Sequence, residues 1–504
     1  MGLRDEGIGE ECGIFAWYSK SNKPSLETPR YLIRQAMALQ HRGQESAGIA
    51  VYNPEGRSPI VPYKDVGLVS KVFEVSDSIR SMAIIEKCVG VAGIGHVRYS
   101  TSGSKSYDDS RNKAQPFERR HGRLFKRFAI AFNGNLANYP ELSSELMKEH
   151  NYWLDTDVDT EVIMHYLALG LREDEDIVGR IVKPDMFGIA KRIMRRFDGA
   201  FNILTLFGDG DLMAFRDSNG FHPLVFGENE EGYAFASEST ALEKLGIRQF
   251  KDVNPGEAYL VNRFGVQKKQ VLDSGKSFCQ FEYVYFMKGD SRSDGVYIHE
   301  ARENLGRRLA ISEPFKSKLN ENWVVVPAPW TAIPAAEAYS EYLGLKLRFA
   351  IEKSDGLRGF INGAEERKRV MSSTYIVHSA DVSGRNVIII DDSLVRGETA
   401  GQLMSRVRDA GAREIHLRLT EPVIRYPCFY GIDFPTMGEL LANNVKGDVE
   451  KEIAKRLGIE SVKFQTIDDL VKGIGLPKGD LCLACLNGEY PTKCGKKRFV
   501  EMNG

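Results

Sequence analysis

The stretch Val387-Ile388-Ile389-Ile390-Asp391-Asp392-Ser393-Leu394-Val395-Arg396-Gly397-Glu398-Thr399 constrains the fold more than any other part of the chain. Four successive β-branched residues make a strand apolar on both faces, and such strands belong in parallel sheets covered by helices. Two carboxylates follow at once, at the carboxyl edge of the sheet, where ligands of open α/β folds bind. Asp391 and Asp392 can hold ribose hydroxyls. The loop 393–399 then leads into a helix whose first amides, with the Thr399 hydroxyl, suit a 5′-phosphate. Two acids after a strand can also cap a helix, but apolar run, acid pair and Arg-Gly-x-Thr together favour a ligand site.

A chain of 504 residues holds about two to four domains at ~150 residues each, and 42% hydrophobic residues suffice for ordinary cores. The balance of 68 basic against 69 acidic residues leaves no global field that would argue for nucleic acid or an anionic membrane as partner. No stretch approaches ~18 uninterrupted apolar residues. The first eleven residues carry Arg4, Asp5, Glu6, Glu10 and Glu11 where a secretory signal needs an apolar run. The expectation is a cytoplasmic protein whose seven cysteines are reduced or metal-bound.

Taken in order, the pattern predicts a strand over 13–18, a helix over 28–39, and further strands around 201–207, 212–215 and 233–237. The first ~250 residues read as a strand-rich α+β domain. After the turn Asn254-Pro255-Gly256-Glu257 and a charged linker over 267–276, an α/β domain begins. It reads as a strand over 279–286, a helix over 296–309, a strand over 323–326 and a helix over 332–342, continuing to the strand 387–390.

Cys12 follows Gly9-Glu10-Glu11 and opens the first strand. Cleavage before it would put thiol and α-amine on one residue, and an α-amine titrating near pH ~8 can take the thiol's proton. The bland reading is a small buried apolar residue. Against it stand His41-Arg42-Gly43-Gln44, His96-Val97-Arg98-Tyr99-Ser100-Thr101, Asn133-Gly134-Asn135 and Asp159-Thr160-Glu161, all in loops or at element ends. With Cys12-Gly13-Ile14-Phe15, this order resembles the glutaminase domain of the N-terminal-nucleophile class II amidotransferases. Within that class the chain resembles the amidophosphoribosyltransferase family, in the branch made with a short acidic propeptide, which residues 1–11 match.

The resemblance implies an α+β N-terminal-nucleophile domain, with stacked antiparallel sheets between helices, followed by an α/β type I phosphoribosyltransferase domain. It implies that Cys12 attacks a glutamine amide. The negative oxygen formed there needs preorganised donors, which Asn133 and the Gly134 N–H can supply. Arg98 can fork onto the substrate α-carboxylate and Asp159 can hold its α-ammonium. Arg42 is implied as a support for Cys12. Alone, Asn-Gly reads as a turn, Asp159 as a helix cap and Arg98 as a surface charge.

The stretch 387–399 resembles the type I phosphoribosyltransferase signature, which implies binding of 5-phosphoribosyl 1-diphosphate by Asp391, Asp392, Ser393, Arg396, Gly397 and Thr399, with Mg²⁺ at Asp391 and Asp392. Glu398 stands where relatives usually have threonine. The cationic segment of relatives is here Glu352-Lys353-Ser354-Asp355-Gly356-Leu357-Arg358-Gly359-Phe360-Ile361, a second basic segment has become Val370-Met371-Ser372-Ser373-Thr374-Tyr375, and His222 replaces an expected arginine. Each lost cation is expected to weaken binding of the anionic substrate, by ~1.5–3 kcal/mol per charged hydrogen bond.

Cys279, Cys428, Cys482 and Cys485 can ligate one metal centre. Their spacing alone favours structural zinc over a cubane, with disulfides or buried thiols as lesser readings. The resemblance implies the reverse, a 4Fe-4S cluster. Cys88 and Cys494 have no assigned partner. The expected divisions are propeptide 1–11, glutaminase 12–262, phosphoribosyltransferase 263–470 and a cluster-binding segment 471–504. The implied enzyme makes 5-phosphoribosylamine, glutamate and diphosphate, the first step of purine biosynthesis, as a homotetramer inhibited by purine nucleotides. The alternative is a glutaminase-competent paralogue with another acceptor, or with a silent, nucleotide-binding transferase site.

Overall fold

The computed structural model describes residues 12–99, 107–178, 184–273, 275–353, 375–432, 434 and 436–503. The expected propeptide 1–11, most of the segment 352–361 and residues 370–374 lie outside the described residues.

Two antiparallel sheets build the amino-terminal unit. In the seven-stranded sheet the first strand, Gly13–Ser19, lies between Ala92–Arg98 and Gly232–Ala236, with Ser46–Tyr52 beyond Ala92–Arg98. The six-stranded sheet centres on Phe128–Leu136 paired with Gly199–Phe207. Side chains alternate across a strand, and the first strand uses both faces. Ile14, Ala16 and Tyr18 pack between the sheets with Ala129, Ala131 and Leu204. Phe15 and Trp17 face outward into a core with Leu32, Ala36 and Leu39 of the first helix region. Phe128, Ile130 and Phe132 likewise turn toward Val162, Ile163, Leu167 and Ile189. The result is two sheets stacked between helical layers, as the resemblance implied.

Residues 267–276 depart from the expected linker. Gly265–Gln270 is a strand paired with Glu257–Asn262, so the second sheet continues past residue 262. Its charged residues are exposed because it is an edge strand, the place where charge blunts association.

The carboxy-terminal unit carries a five-stranded parallel sheet. Lys346–Leu347, Trp323–Pro327, Asn386–Asp391, Glu414–Leu419 and Ser461–Phe464 lie side by side in that order. Val387 and Ile389 pack against Leu403 and Val407 on one face, while Ile388 and Ile390 meet Ala335 and Tyr339 on the other. The four-residue apolar run is therefore buried on both faces, as read from sequence.

The run 279–286 is not one strand. Only Phe278–Cys279 pairs, in parallel with Leu481–Cys482, and Glu282–Phe286 forms a π-helical turn. A run buried on all sides carries no period to separate strand from helix. Here Arg302 decides, donating to the carbonyls of Tyr283, Val284, Tyr285 and Met287, which a strand would have turned to opposite sides.

Candidate active sites and cysteine pocket

Cys12 is the first described residue and is half-buried at the start of its strand, its Sγ 3.7 Å from the Tyr99 carbonyl oxygen. Arg42 Nε donates to the Cys12 carbonyl at 3.3 Å. The guanidinium is fully buried between two carboxylates: Nη1 donates to Glu238 at 2.7 Å, and Nη2 to Glu282 at 2.7 Å. Burial alone would raise the Glu238 pKa, but His41 and Arg42 beside it hold it down at about 2. Glu238 Oε2 also accepts from Lys288 N and Ser291 Oγ of the second unit. Arg42 thus ties Cys12 to the π-helical turn that opens the other unit.

Asn133 lies on the strand Phe128–Leu136, buried, and its Nδ2 has no hydrogen-bond partner among the described residues. A buried amide donor left unpaired costs ~1–3 kcal/mol and fits a donor held for an oxyanion. Gly134 has φ +141°, and a Cβ there would stand 2.0 Å from the Ala200 carbonyl oxygen. Only glycine fits that approach to the neighbouring strand. His96, across the stack, makes a 3.0 Å hydrogen bond to the Phe132 carbonyl, which fixes the two sheets to each other beside Asn133. Burial and the Arg98 charge push its pKa down to about 3, so the ring is neutral.

Arg98 is buried rather than a surface charge, and donates to Glu45 Oε2 at 2.6 Å, with Ser110 Oγ on the other carboxylate oxygen. Asp159 opens the helix Asp159–Val178, but its Oδ2 accepts from Leu136 N at 2.8 Å instead of capping its own helix. It is half-buried, and desolvation raises its carboxyl to about 7. A carboxyl in that state is ready to take a cation.

At the other site Asp391 ends its strand and Asp392 is buried behind it. Thr331 Oγ1 donates to Asp392 Oδ2, Ser393 Oγ to Asp392 Oδ1 at 3.3 Å, and Asp392 N to Asp391 Oδ1 at 2.9 Å. Burial and the neighbouring carboxyl push Asp391 well above the usual range, and burial raises Asp392. Two such acids side by side call for a proton or a cation, and so fit a divalent ion. Gly397, at φ +86°, turns the chain into the helix Glu398–Asp409.

One cleft of about 650 Å³ contains Asp391, Asp392, Ser393, Arg396, Gly397 and Thr399, and runs on to Tyr285 and Phe286 and then to His41, Gln44 and Tyr99 of the amino-terminal unit. Its volume suits a small-molecule site, for which ~300–1,000 Å³ is usual. A second hollow, lined by His150, Tyr166, Arg192 and Arg196, lies on the outer helices and contains none of the motif residues.

The four cysteines share one apolar pocket with Phe221, Phe281, Tyr430 and Phe434. Cys279 and Cys482 are paired in the two-strand ladder, so the carboxy-terminal segment does return its cysteines to the second unit. Burial pushes the Cys482 thiol up to about 12 and Cys485 well above the ordinary thiol value, as expected of sulfurs in an apolar site without a positive partner. None of the seven cysteines is in a disulfide. Among the described residues no three His, Cys, Asp or Glu side chains stand as ready ligands of a single ion. Cys88 is a core thiol of the first unit, and Cys494 Sγ donates to the Ala137 carbonyl.

His222 corrects the expectation of a lost cation facing substrate. It is fully buried between the units, bonded to the Tyr430 carbonyl at 2.6 Å and 3.3 Å from Glu282.

A family profile described as a glutamine amidotransferase domain matches residues 102–244. The amidophosphoribosyltransferase of Methanothermobacter thermautotrophicus is 36% identical over 97% of this chain and 96% of its own length. The chain belongs to the amidophosphoribosyltransferase family. The human amidophosphoribosyltransferase is 31% identical, over 98% of this chain and 99% of its own. The solved Bacillus subtilis glutamine phosphoribosylpyrophosphate amidotransferase, complexed with ADP and GMP, superposes with a TM-score of 0.81 at 30% identity, covering 96% of this chain and 98% of that one. No helix among the described residues is long and apolar enough to cross a membrane.

Proposed function

We propose that this chain transfers glutamine-derived ammonia to 5-phosphoribosyl 1-diphosphate, giving 5-phosphoribosylamine, glutamate and diphosphate, the first step of purine biosynthesis. The observation that carries the reading is the single cleft running from the acid pair and phosphate loop to residues beside Cys12. With residues 1–11 removed, the Cys12 α-amine takes the thiol proton as sulfur attacks the glutamine amide carbon. Asn133 Nδ2 and Gly134 N–H receive the developing oxyanion, while Arg98 and Asp159 hold the α-carboxylate and α-ammonium. The Cys12 α-ammonium returns its proton to the departing nitrogen, ammonia leaves, and water cleaves the thioester to glutamate.

Ammonia then reaches C1 of the ribose through the cleft, past Tyr285 and Phe286 in its wall. Its lone pair forms the C1–N bond as diphosphate departs with the C1–O pair, and the new ammonium loses a proton. Asp391 and Asp392 hold the ribose hydroxyls, and residues 393–399 cradle the 5′-phosphate. Bound at the acid pair, Mg²⁺ would neutralise charge on the diphosphate leaving group.

The same reading takes Cys279, Cys428, Cys482 and Cys485 as ligands of one 4Fe-4S cluster, as the resemblance implies; their common apolar pocket supports a shared centre. It further includes a cytoplasmic homotetramer with purine nucleotides as inhibitors, the last supported by the ADP and GMP bound to the B. subtilis relative.

Replacing Asp391 and Asp392 together by Asn tests the transferase assignment. Affinity for 5-phosphoribosyl 1-diphosphate should collapse while glutamine hydrolysis measured without it changes little. Near-normal affinity in the double variant would overturn the assignment.

A further inference from the structure

A buried polar pair that the mechanism does not use joins the cysteine pocket to the acid-pair loop. Gln280 follows Cys279, and Glu421 lies just beyond the strand Glu414–Leu419; both are fully buried. Gln280 Nε2 donates to Glu421 Oε1 at 2.6 Å and to Cys485 Sγ at 3.7 Å. Gln280 Oε1 and Glu421 Oε2 have no hydrogen-bond partner among the described residues. Glu421 is itself fixed, because its N–H donates to the Asp392 carbonyl at 2.8 Å.

A glutamine amide has two N–H donors on one nitrogen. With one committed to Glu421, the amide plane is set and the other is turned to the sulfur. Leaving two polar atoms unpaired in an apolar interior is unfavourable, and apolar residues at both 280 and 421 would avoid it. The contact with sulfur is what a Leu could not make.

We propose that Gln280 is a side-chain N–H···S donor to the metal-bound Cys485 thiolate, aimed by Glu421, and that it raises the reduction potential of the cluster. This rests on the 4Fe-4S reading above. A hydrogen bond to a ligand sulfur stabilises negative charge there, and the reduced cluster, with one more electron, gains more from it than the oxidised one.

The test uses full-length protein purified without oxygen. Iron and sulfide are assayed, and the cluster's midpoint potential is measured in the parent, Gln280→Leu, Gln280→Met and Glu421→Gln. Both Gln280 variants should show a lower potential than the parent, and Glu421→Gln, which weakens the hydrogen bond that aims the amide but leaves the amide in place, a smaller drop. Parental potential in every variant that holds a cluster overturns the proposal and leaves the cluster reading standing. Zinc, or no iron and sulfide, in the parent removes both. Resonance Raman gives an independent answer. The Fe–S(Cys) bands should shift on exchange into deuterium oxide after unfolding and reconstitution in that solvent, beyond the shift in Gln280→Leu or, if Leu and Met fail to load, in Glu421→Gln. Identical shifts contradict the donor.

Discussion

If Asp159 holds the substrate's α-ammonium as proposed, glutamine binding depends on pH in a direction its environment fixes. Desolvation raises its carboxyl to about 7, and the ionised form is the one that can hold the substrate's α-ammonium. Free glutamine keeps its ammonium between pH 6 and 8, so the enzyme's carboxyl governs the change. With a pKa of about 7, the apparent KM for glutamine should exceed its high-pH limit about 1.1-fold at pH 8 and about 11-fold at pH 6, a tenfold difference. Asp159→Asn should raise the KM by about 10- to 150-fold, from ~1.5–3 kcal/mol for a charged hydrogen bond, and should flatten its pH dependence. The effect on folding has the opposite sign. A carboxyl whose folded pKa lies above its unfolded value contributes stability at low pH that is lost as pH rises through about 7. The neutral Asn variant should therefore unfold at a higher urea concentration than the parent at pH 8, while binding glutamine more weakly. Steady-state kinetics from pH 6 to 8 read the first effect and urea titration the second. A parental KM for glutamine unchanged between pH 6 and 8 would refute the reasoning.

Asn133→Ala should lower kcat for glutamine by ~10²–10³ with little change in KM, because the donor acts on the oxyanion and not on the bound amide. Synthesis from added ammonia should stay at the parental rate, and a parallel loss of both would contradict the assignment. Arg42→Ala leaves Glu238 and Glu282 facing each other in a buried seam without the cation that joins them. Removing one partner of a buried ion pair costs ~3–5 kcal/mol, so the urea midpoint should fall markedly, with part of the loss restored by Arg42→Lys. An unchanged midpoint would show the seam to be hydrated.

The parts of both sites that were legible in the sequence are those whose geometry is local. The run 387–390 announced a strand buried on both faces, and its acid pair falls at that strand's end. Asn133-Gly134-Asn135 stands out after the apolar run Phe128–Phe132, although it lies within the strand Phe128–Leu136 and not in a loop. What stayed hidden depends on contacts between distant residues. Arg42 and Glu282 are 240 positions apart, and His222 and Tyr430 are 208 apart. No spacing reveals that Glu238 is bonded by four partners, His41, Arg42, Lys288 and Ser291, or that His222 bolts two units together instead of facing a phosphate. Gln280 and Glu421 were missed for the same reason, since each beside a strand looks like an ordinary exposed polar residue. The π-helical turn at Glu282–Phe286 was misread because four carbonyl bonds from Arg302 outweigh the strand preference of aromatic and β-branched residues.

One cleft is proposed to carry ammonia from Cys12 to the ribose without release. This transfer is tested by giving the mature enzyme amide-¹⁵N glutamine and 5-phosphoribosyl 1-diphosphate in an excess of unlabelled ammonium, with the product trapped and weighed by mass spectrometry. Phosphoribosylamine carrying predominantly ¹⁵N is the expected result. Label matching the bulk ammonium pool, or glutamate formed with no phosphoribosylamine from either nitrogen source, would contradict the account.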